Sequence, residues 1–208
     1  MKKIITAAGL FLIVFLAGTY FIGKSDTYNV QKEIAEEIIR FHVRANSDSK
    51  EDQALKLKVK DSIVLYLQEE LKDARCLDEA RNILYDGRDE IKNIALNVIE
   101  EEGYDYPVEV YFEEAYFPMK VYGDMSFPPG VYEAFRVDIG ESCGKNWWCV
   151  LYPPLCFVDS TYSVVPDDTK EQFKDVLSKE AYAAICEDED VAYTYEFKFK
   201  IFTFLNKE

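Results

Sequence analysis

Histidine is almost missing from this chain. His42 is the single imidazole, so chemistry that needs a histidine pair, from a proton relay to a histidine metal site, is excluded at the outset. Basic side chains are also scarce: 24 lysines and arginines stand against 39 acids, giving a formal charge of −15 and a pI near 4.6. A surface of that sign does not supply the phosphate contacts and counterion release that drive nucleic-acid binding, so no nucleic-acid partner is expected. The acids read as a solvated surface, with a hint of a basic partner. Five cysteines include no Cys-x-x-Cys pair, and with one histidine they form no zinc set, so neither a metal nor a cofactor is expected. There is no phosphate-binding glycine loop and no Gly-x-Ser-x-Gly elbow.

What is present begins with an apolar run. Lys2 and Lys3 precede an uncharged stretch from Ile4 to Gly23, which Lys24-Ser25-Asp26 ends. A basic start, an apolar centre and the small residues Ala17, Gly18 and Thr19 match a secretory signal peptide, and the same length can span a bilayer. Both readings, cleaved or anchored, send the rest of the chain across the membrane with the lysine pair left inside. Without Lys2, Lys3 and Lys24 the exported part carries a charge of about −18. The remaining length and the apolar half of the composition suit one domain with a sizeable core. The chain divides into an export segment at 1–24, a connecting segment at 25–37, one domain at 38–205 and a short tail at 206–208.

Within that domain, Ile39, Phe41 and Val43 alternate with Arg40, His42 and Arg44, the period of a half-buried strand with its polar side outward. Ala45-Asn46-Ser47-Asp48-Ser49 then offers short oxygen-bearing side chains for a helix start. Leu55, Val59, Ile63, Leu67 and Leu71 follow at four-residue steps, the stripe of an amphipathic helix. A second helical region reaches Glu102, with Gly87 as a break and Gly103 as a left-handed C-terminal residue. From Tyr106 onward Val, Tyr and Phe dominate between Pro and Gly punctuation, which predicts strands over Val108–Phe112, Val131–Ile139 and Val191–Leu205. Thr169–Tyr182 reads as one short helix. The expected fold class is α+β: an antiparallel sheet with two or three helices packed on one face.

The stretch Gly144–Phe157 (G-K-N-W-W-C-V-L-Y-P-P-L-C-F) holds both tryptophans. A reversal at Pro153-Pro154 makes it a hairpin that brings Cys149 near Cys156, as a disulfide in an oxidising compartment or as a pair of buried thiols. Trp147 and Trp148 point to opposite faces of the strand, one into the core and the other covered by loops or free to anchor a partner. A Cys149, His42 and Asp48 grouping can be drawn as a nucleophile, a base and an orienting group, although no motif ties the three together. Among 39 acids no carboxylate pair stands out, and no catalytic residue is assigned.

Four stretches carry a resemblance: Arg40–Lys60 (R-F-H-V-R-A-N-S-D-S-K-E-D-Q-A-L-K-L-K-V-K), Tyr116-Phe117-Pro118 with Tyr122-Gly123, Pro129–Ala134 (P-G-V-Y-E-A), and Gly144–Phe157. Together they resemble the stage II sporulation protein R family of endospore-forming bacteria, across most of residues 38–158. Ser142-Cys143 departs from the family pattern, and the motifs fade beyond Asp159. The resemblance implies a non-enzymatic signal, made in the forespore and exported into the space between forespore and mother cell. There it would activate a membrane aspartic protease that processes the pro-form of sigma E. The candidate partner-contacting residues are the polar and aromatic groups of the matching motifs: His42, Asn46, Asp48, Lys145, Asn146, Trp148 and Tyr152. The competing readings are an exported hydrolase, using a cysteine or carboxylates on cell-wall material, and a purely structural envelope protein.

Overall fold

Apolar residues at four-residue steps need a surface to pack on, and the alternating β-branched and aromatic strands supply it. The computed structural model describes residues 29–157 and 164–186. Residues 29–37 form α1, followed by β1 (Ile39–Arg44), α2 (Lys50–Glu70), α3 (Leu77–Asp86) and α4 (Arg88–Glu101). The chain then makes β2 (Val108–Phe117), β3 (Lys120–Tyr122), β4 (Met125–Phe127), β5 (Gly130–Ile139) and β6 (Asn146–Tyr152). Two further helices are α5 (Asp167–Val176) and α6 (Lys179–Cys186). The export segment, the strand expected at Val191–Leu205 and the tail lie outside the described residues.

The main sheet has four strands in the order β2-β5-β1-β6, and β3 pairs with β4 in a separate ribbon. The class is α+β, but the sheet is mixed: β2–β5 and β1–β6 are antiparallel, whereas β1–β5 is parallel. A parallel pair needs a long crossover, here the whole segment from α2 to β4, and strand periodicity carries no information about direction. The helices also cover both faces rather than one. Leu55, Val59, Ile63 and Leu67 of α2, with Ala80 and Leu84 of α3 and Ile91, Ala95 and Ile99 of α4, pack on Ile39, Phe41 and Val43. Burying each large aliphatic side chain there contributes roughly 1.5–3 kcal/mol. On the other face Ile34 of α1, Met125 and Phe127 of β4, Phe173 of α5 and Ile185 of α6 gather around Phe117, Tyr132, Ala134 and Val150.

The boundaries follow local chemistry. Ser49 caps α2, its Oγ accepting from the Asp52 N–H at 3.1 Å. Gly87 ends α3 and starts α4, and Gly103 adopts φ +82° after α4, a conformation open to glycine at no steric cost. Glu102, which opposes the α4 dipole, is held by Lys58 at 2.5 Å. The single helix expected at Thr169–Tyr182 is two, because Leu177 turns to extended backbone and Ser178 restarts the chain by accepting the Ala181 N–H.

Candidate functional site

In register across β2, β5, β1 and β6, one sheet face carries a row of Tyr111, Arg136, His42 and Trp148, beside a row of Glu109, Asp138, Arg44 and Asn146. The polar side of β1 therefore faces neighbouring strands and covering elements rather than water. Arg40 is 0% exposed and His42 only 2%, which overturns the expectation of a half-buried strand with His42 on the surface. The physical reason is position: β1 is a central strand, paired on both edges and covered on both faces.

His42 sits in a charged network. Its Nε2 lies 3.1 Å from Glu113 Oε1, and a carboxylate can only accept, so Nε2 carries the proton. Arg136 donates to the same Glu113 oxygen at 2.8 Å and to Asp138 Oδ1 at 2.7 Å, while the Tyr111 hydroxyl donates to Asp138 Oδ2 at 2.9 Å. Burial, then the Arg136 charge, pushes the His42 pKa down to about 4 against the pull of Glu113, so the ring is neutral near pH 7. Burial works against the Arg136 charge too, but its bonds to Asp138 and Glu113 outweigh this and hold its pKa above the usual value. Burial and the bond to Asp138 raise Tyr111 to about 12. Trp148 lies flat on His42 and edge-on to Phe117, 4.7 Å away, and the Lys120 ammonium stands over its ring at 5.7 Å.

Arg40 lies deeper on the same face. Its guanidinium is over the rings of Phe117, Phe127 and Tyr132 at 4.6, 5.4 and 5.2 Å and donates to the Tyr122 hydroxyl at 3.4 Å. Its Nε and one terminal nitrogen have no hydrogen-bond partner, and burial lowers its pKa.

The other expected contact residues separate from this face. Asn46 and Asp48 tie two loops together: the Glu141 N–H donates to Asn46 Oδ1 at 2.9 Å, and the Lys145 N–H to Asp48 Oδ1 at 2.8 Å. Asn46 Nδ2 and Ser47 Oγ donate to Asp52, so both residues brace the start of α2, although its cap is Ser49. Lys145 is exposed at the entry to β6, with its carbonyl accepting from Lys56 at 3.0 Å. Tyr152 is 5% exposed and packs in the core with the α2–α4 helices. His42, Asn146 and Trp148 thus come together, and Asn46, Asp48, Lys145 and Tyr152 do not join them. Sequence reasoning missed Arg44, Tyr111, Glu113, Lys120, Arg136 and Asp138; the two-residue spacing of Tyr111 and Glu113, and of Arg136 and Asp138, was the available signal.

Cys149 and Cys156 are disulfide-bonded, with Cα atoms 5.5 Å apart. The turn is tighter than a strand hairpin, because the N–H groups of Leu155 and Cys156 both return to the Val150 carbonyl and, among the described residues, no second strand follows. Cys149 faces the helical side opposite Phe41, away from His42, so this structure holds no thiolate–imidazole pair at that position. Trp147 faces the helical side as well, edge-on to Phe41 at 5.8 Å and under Lys60. Both tryptophans are half-buried, in place of one buried and one exposed. Among the described residues no three of His, Cys, Asp and Glu are grouped so as to hold a metal ion. A shallow cavity of about 570 Å³ opens between α4 and β2, lined by Arg88, Asp89, Lys92, Glu109, Val110 and Tyr111, so it shares Glu109 and Tyr111 with the charged face.

The family model described as stage II sporulation protein R matches residues 35–162. The chain is 35% identical over 194 residues to the stage II sporulation protein R of Bacillus subtilis (strain 168), covering 90% of this chain and 84% of that protein. The likeness therefore continues past Asp159, where the short motifs fade. No solved structure matches the chain.

Proposed function

The chain belongs to the stage II sporulation protein R family, and from that membership we propose that it is an exported, non-enzymatic signal that activates a membrane aspartic protease to process the pro-form of sigma E. The single observation that carries this reading is the 35% identity running over 90% of the chain, far beyond any one motif. The uncharged run Ile4–Gly23 behind Lys2 and Lys3 supports export from the forespore into the intermembrane space, cleaved or anchored. An activator of this kind works by binding the protease's active arrangement better than the inactive one. The hydrolase alternative is weakened by the pairing of Cys149 with Cys156, which removes the thiol it would use.

The test is co-expression of the full chain with the membrane protease and the sigma precursor, followed by immunoblotting for the mature factor. Processing that depends on this chain is the expected result. Processing that is equal with and without it overturns the reading.

A further inference from the structure

The two edges of the main sheet are finished differently. On β6 the chain covers itself: the Trp148 carbonyl accepts from the Tyr122 hydroxyl at 3.2 Å, and the Val150 carbonyl from the N–H groups of Leu155 and Cys156, each at 3.1 Å. On β2, among the described residues, the backbone of Val108–Phe117 is bonded only through its ladder with β5. An edge strand of 10 residues with a row of unpaired N–H and C=O groups is a template for one more strand. Its side chains select the addition. Glu109, Glu113 and Glu114, with no cation among them, oppose pairing with a second copy and favour a strand that brings positive charge.

The cavity of about 570 Å³ lies along this edge. Glu109, Val110 and Tyr111 are consecutive, so their side chains leave by opposite faces, and a space that touches all three lies beside the strand rather than under one face. Its far wall is the first turn of α4, with Arg88, Asp89 and Lys92. On the helical face the rim of the core is unfinished there, because Val110 packs against it but is only partly buried, as is Phe112. A further strand with apolar side chains on the helical face and basic ones on the other would fill the space and meet the exposed Glu109.

The chain carries a stretch of that description. In Val191–Leu205 (V-A-Y-T-Y-E-F-K-F-K-I-F-T-F-L) Phe197, Phe199 and Ile201 alternate with Glu196, Lys198 and Lys200. Because the side-chain period is two, a register that sends the Phe and Ile side to Val110 and Phe112 sends both lysines to the side of Glu109 and Glu113. The connection is long enough. The described residues end at Cys186 of α6, whose Ile185 shares a buried cluster with Phe117 at the end of β2, and residues 187–190 span up to roughly 14 Å. A segment that enters at Phe117 runs antiparallel to β2, and Val191–Leu205 exceeds β2 in length.

We propose that Val191–Leu205 adds to the free edge of β2 as an antiparallel fifth strand, with Phe197, Phe199 and Ile201 over the α4–β2 cavity and Lys198 and Lys200 beside the acids of β2. The proposal is independent of the function inferred above. It closes the sheet with the chain's own segment, so the β2 edge is not the surface offered to a partner.

The experiment is hydrogen exchange of the full chain in detergent, read by mass spectrometry on peptides from β2, β5, β1 and residues 191–205. Three forms are compared: wild type, the double variant Lys198→Pro and Phe199→Pro, and the double variant Lys198→Glu and Lys200→Glu. Adjacent prolines remove an N–H on either side of the strand, so one is lost towards β2 whatever the register. In the wild type, residues 191–205 and the β2 amides that point away from β5 should be protected. The proline variant should speed both by about tenfold or more, with β5 and β1 unchanged. The lysine-to-glutamate variant should speed both by about threefold, and adding Glu109→Lys should restore them. Outward β2 amides that exchange in the wild type at the rate of open chain overturn the proposal, because the edge is then free. Protection that survives the prolines overturns it too, as does protection that falls on dilution, since the occupant is then another element or a second copy. If the prolines also expose β5 and β1, the charge variant decides, and unchanged exchange in it overturns the proposal.

Discussion

The His42 imidazole lies on the Trp148 indole, with ring centroids 5.1 Å apart and planes 8° from parallel. A neutral imidazole stacks there at little cost. A charged one would have to stay beside Arg136 in a site that excludes water, although Glu113 offsets part of that repulsion.

This sets a pH dependence with a definite sign. The folded pKa of His42, about 4, lies below the ordinary 6.5, so the unfolded chain binds the proton more readily and acid favours unfolding. Stability from this group is complete above about pH 6.5 and is lost as pH falls towards 4, by roughly 3 kcal/mol in all. Urea denaturation at pH 7, 5.5 and 4 checks it. The wild type should lose stability relative to His42→Gln across that window; a constant difference between the two would show that the ring does not carry the effect.

The disulfide supports a second prediction. It closes a ring with a sequence separation of 7, so its constraint on the unfolded chain is at the low end, about 2 kcal/mol. Cys149→Ser and Cys156→Ser should each lower the unfolding free energy read from urea denaturation by that amount, and the double variant by no more. A maleimide should label Cys76 and Cys143 readily, both being exposed, and leave Cys149 and Cys156 unlabelled until a reductant is added.

Asn46 gives a third. Its amide bridges Asp52 and the Glu141 N–H, and the Asp52 carboxyl, which burial pushes up, is held below its usual pKa by bonds from Ser47, Asn46, Tyr106 and Ser49. Asn46→Ala should cost about 1–3 kcal/mol, and Asn46→Asp more near neutral pH, where a second carboxylate faces Asp52. The depressed pKa means that the Asp52 contribution is present above pH 3.8 and lost below it, so the excess penalty of Asn46→Asp should shrink on acidification. Thermal unfolding at pH 7 and pH 3 measures both.

Residues whose role is set by neighbours in the chain were readable, and those whose role is set across the sheet were not. The Leu55–Leu71 stripe, the break at Gly87 and the left-handed Gly103 depend on local periodicity and backbone freedom, and the structure places all of them as read. The alternation of β1 was visible, but its polar side looked solvent-facing, because nothing in Ile39–Arg44 says that β5 and β6 flank it or that Phe117 and Trp148 cover it. Glu113 and Arg136 meet His42 from strands far along the chain, so their convergence is a property of register. Asn46 and Asp48 stand among the expected contact groups as polar residues of the matching motifs, and the loop geometry turns them inward.

Arg40 poses the sharpest energetic question. It is fully buried, and among the described residues it has no carboxylate partner; three aromatic rings and one tyrosine hydroxyl stand in for one. A cation over a ring recovers about 0.5–2 kcal/mol, whereas the desolvation of an ion costs several, and two of its nitrogens are left unbonded. An apolar side chain of similar length keeps the packing and removes the unpaired charge. Arg40→Met is therefore expected to leave stability unchanged or raise it by about 1–3 kcal/mol, while Arg40→Ala, which opens a cavity among Phe117, Phe127 and Tyr132, should lower it by about 2–4 kcal/mol. Urea midpoints distinguish the cases. A large loss in Arg40→Met would mean that the charge itself holds the aromatic cluster together, with the cation–ring contacts outweighing desolvation.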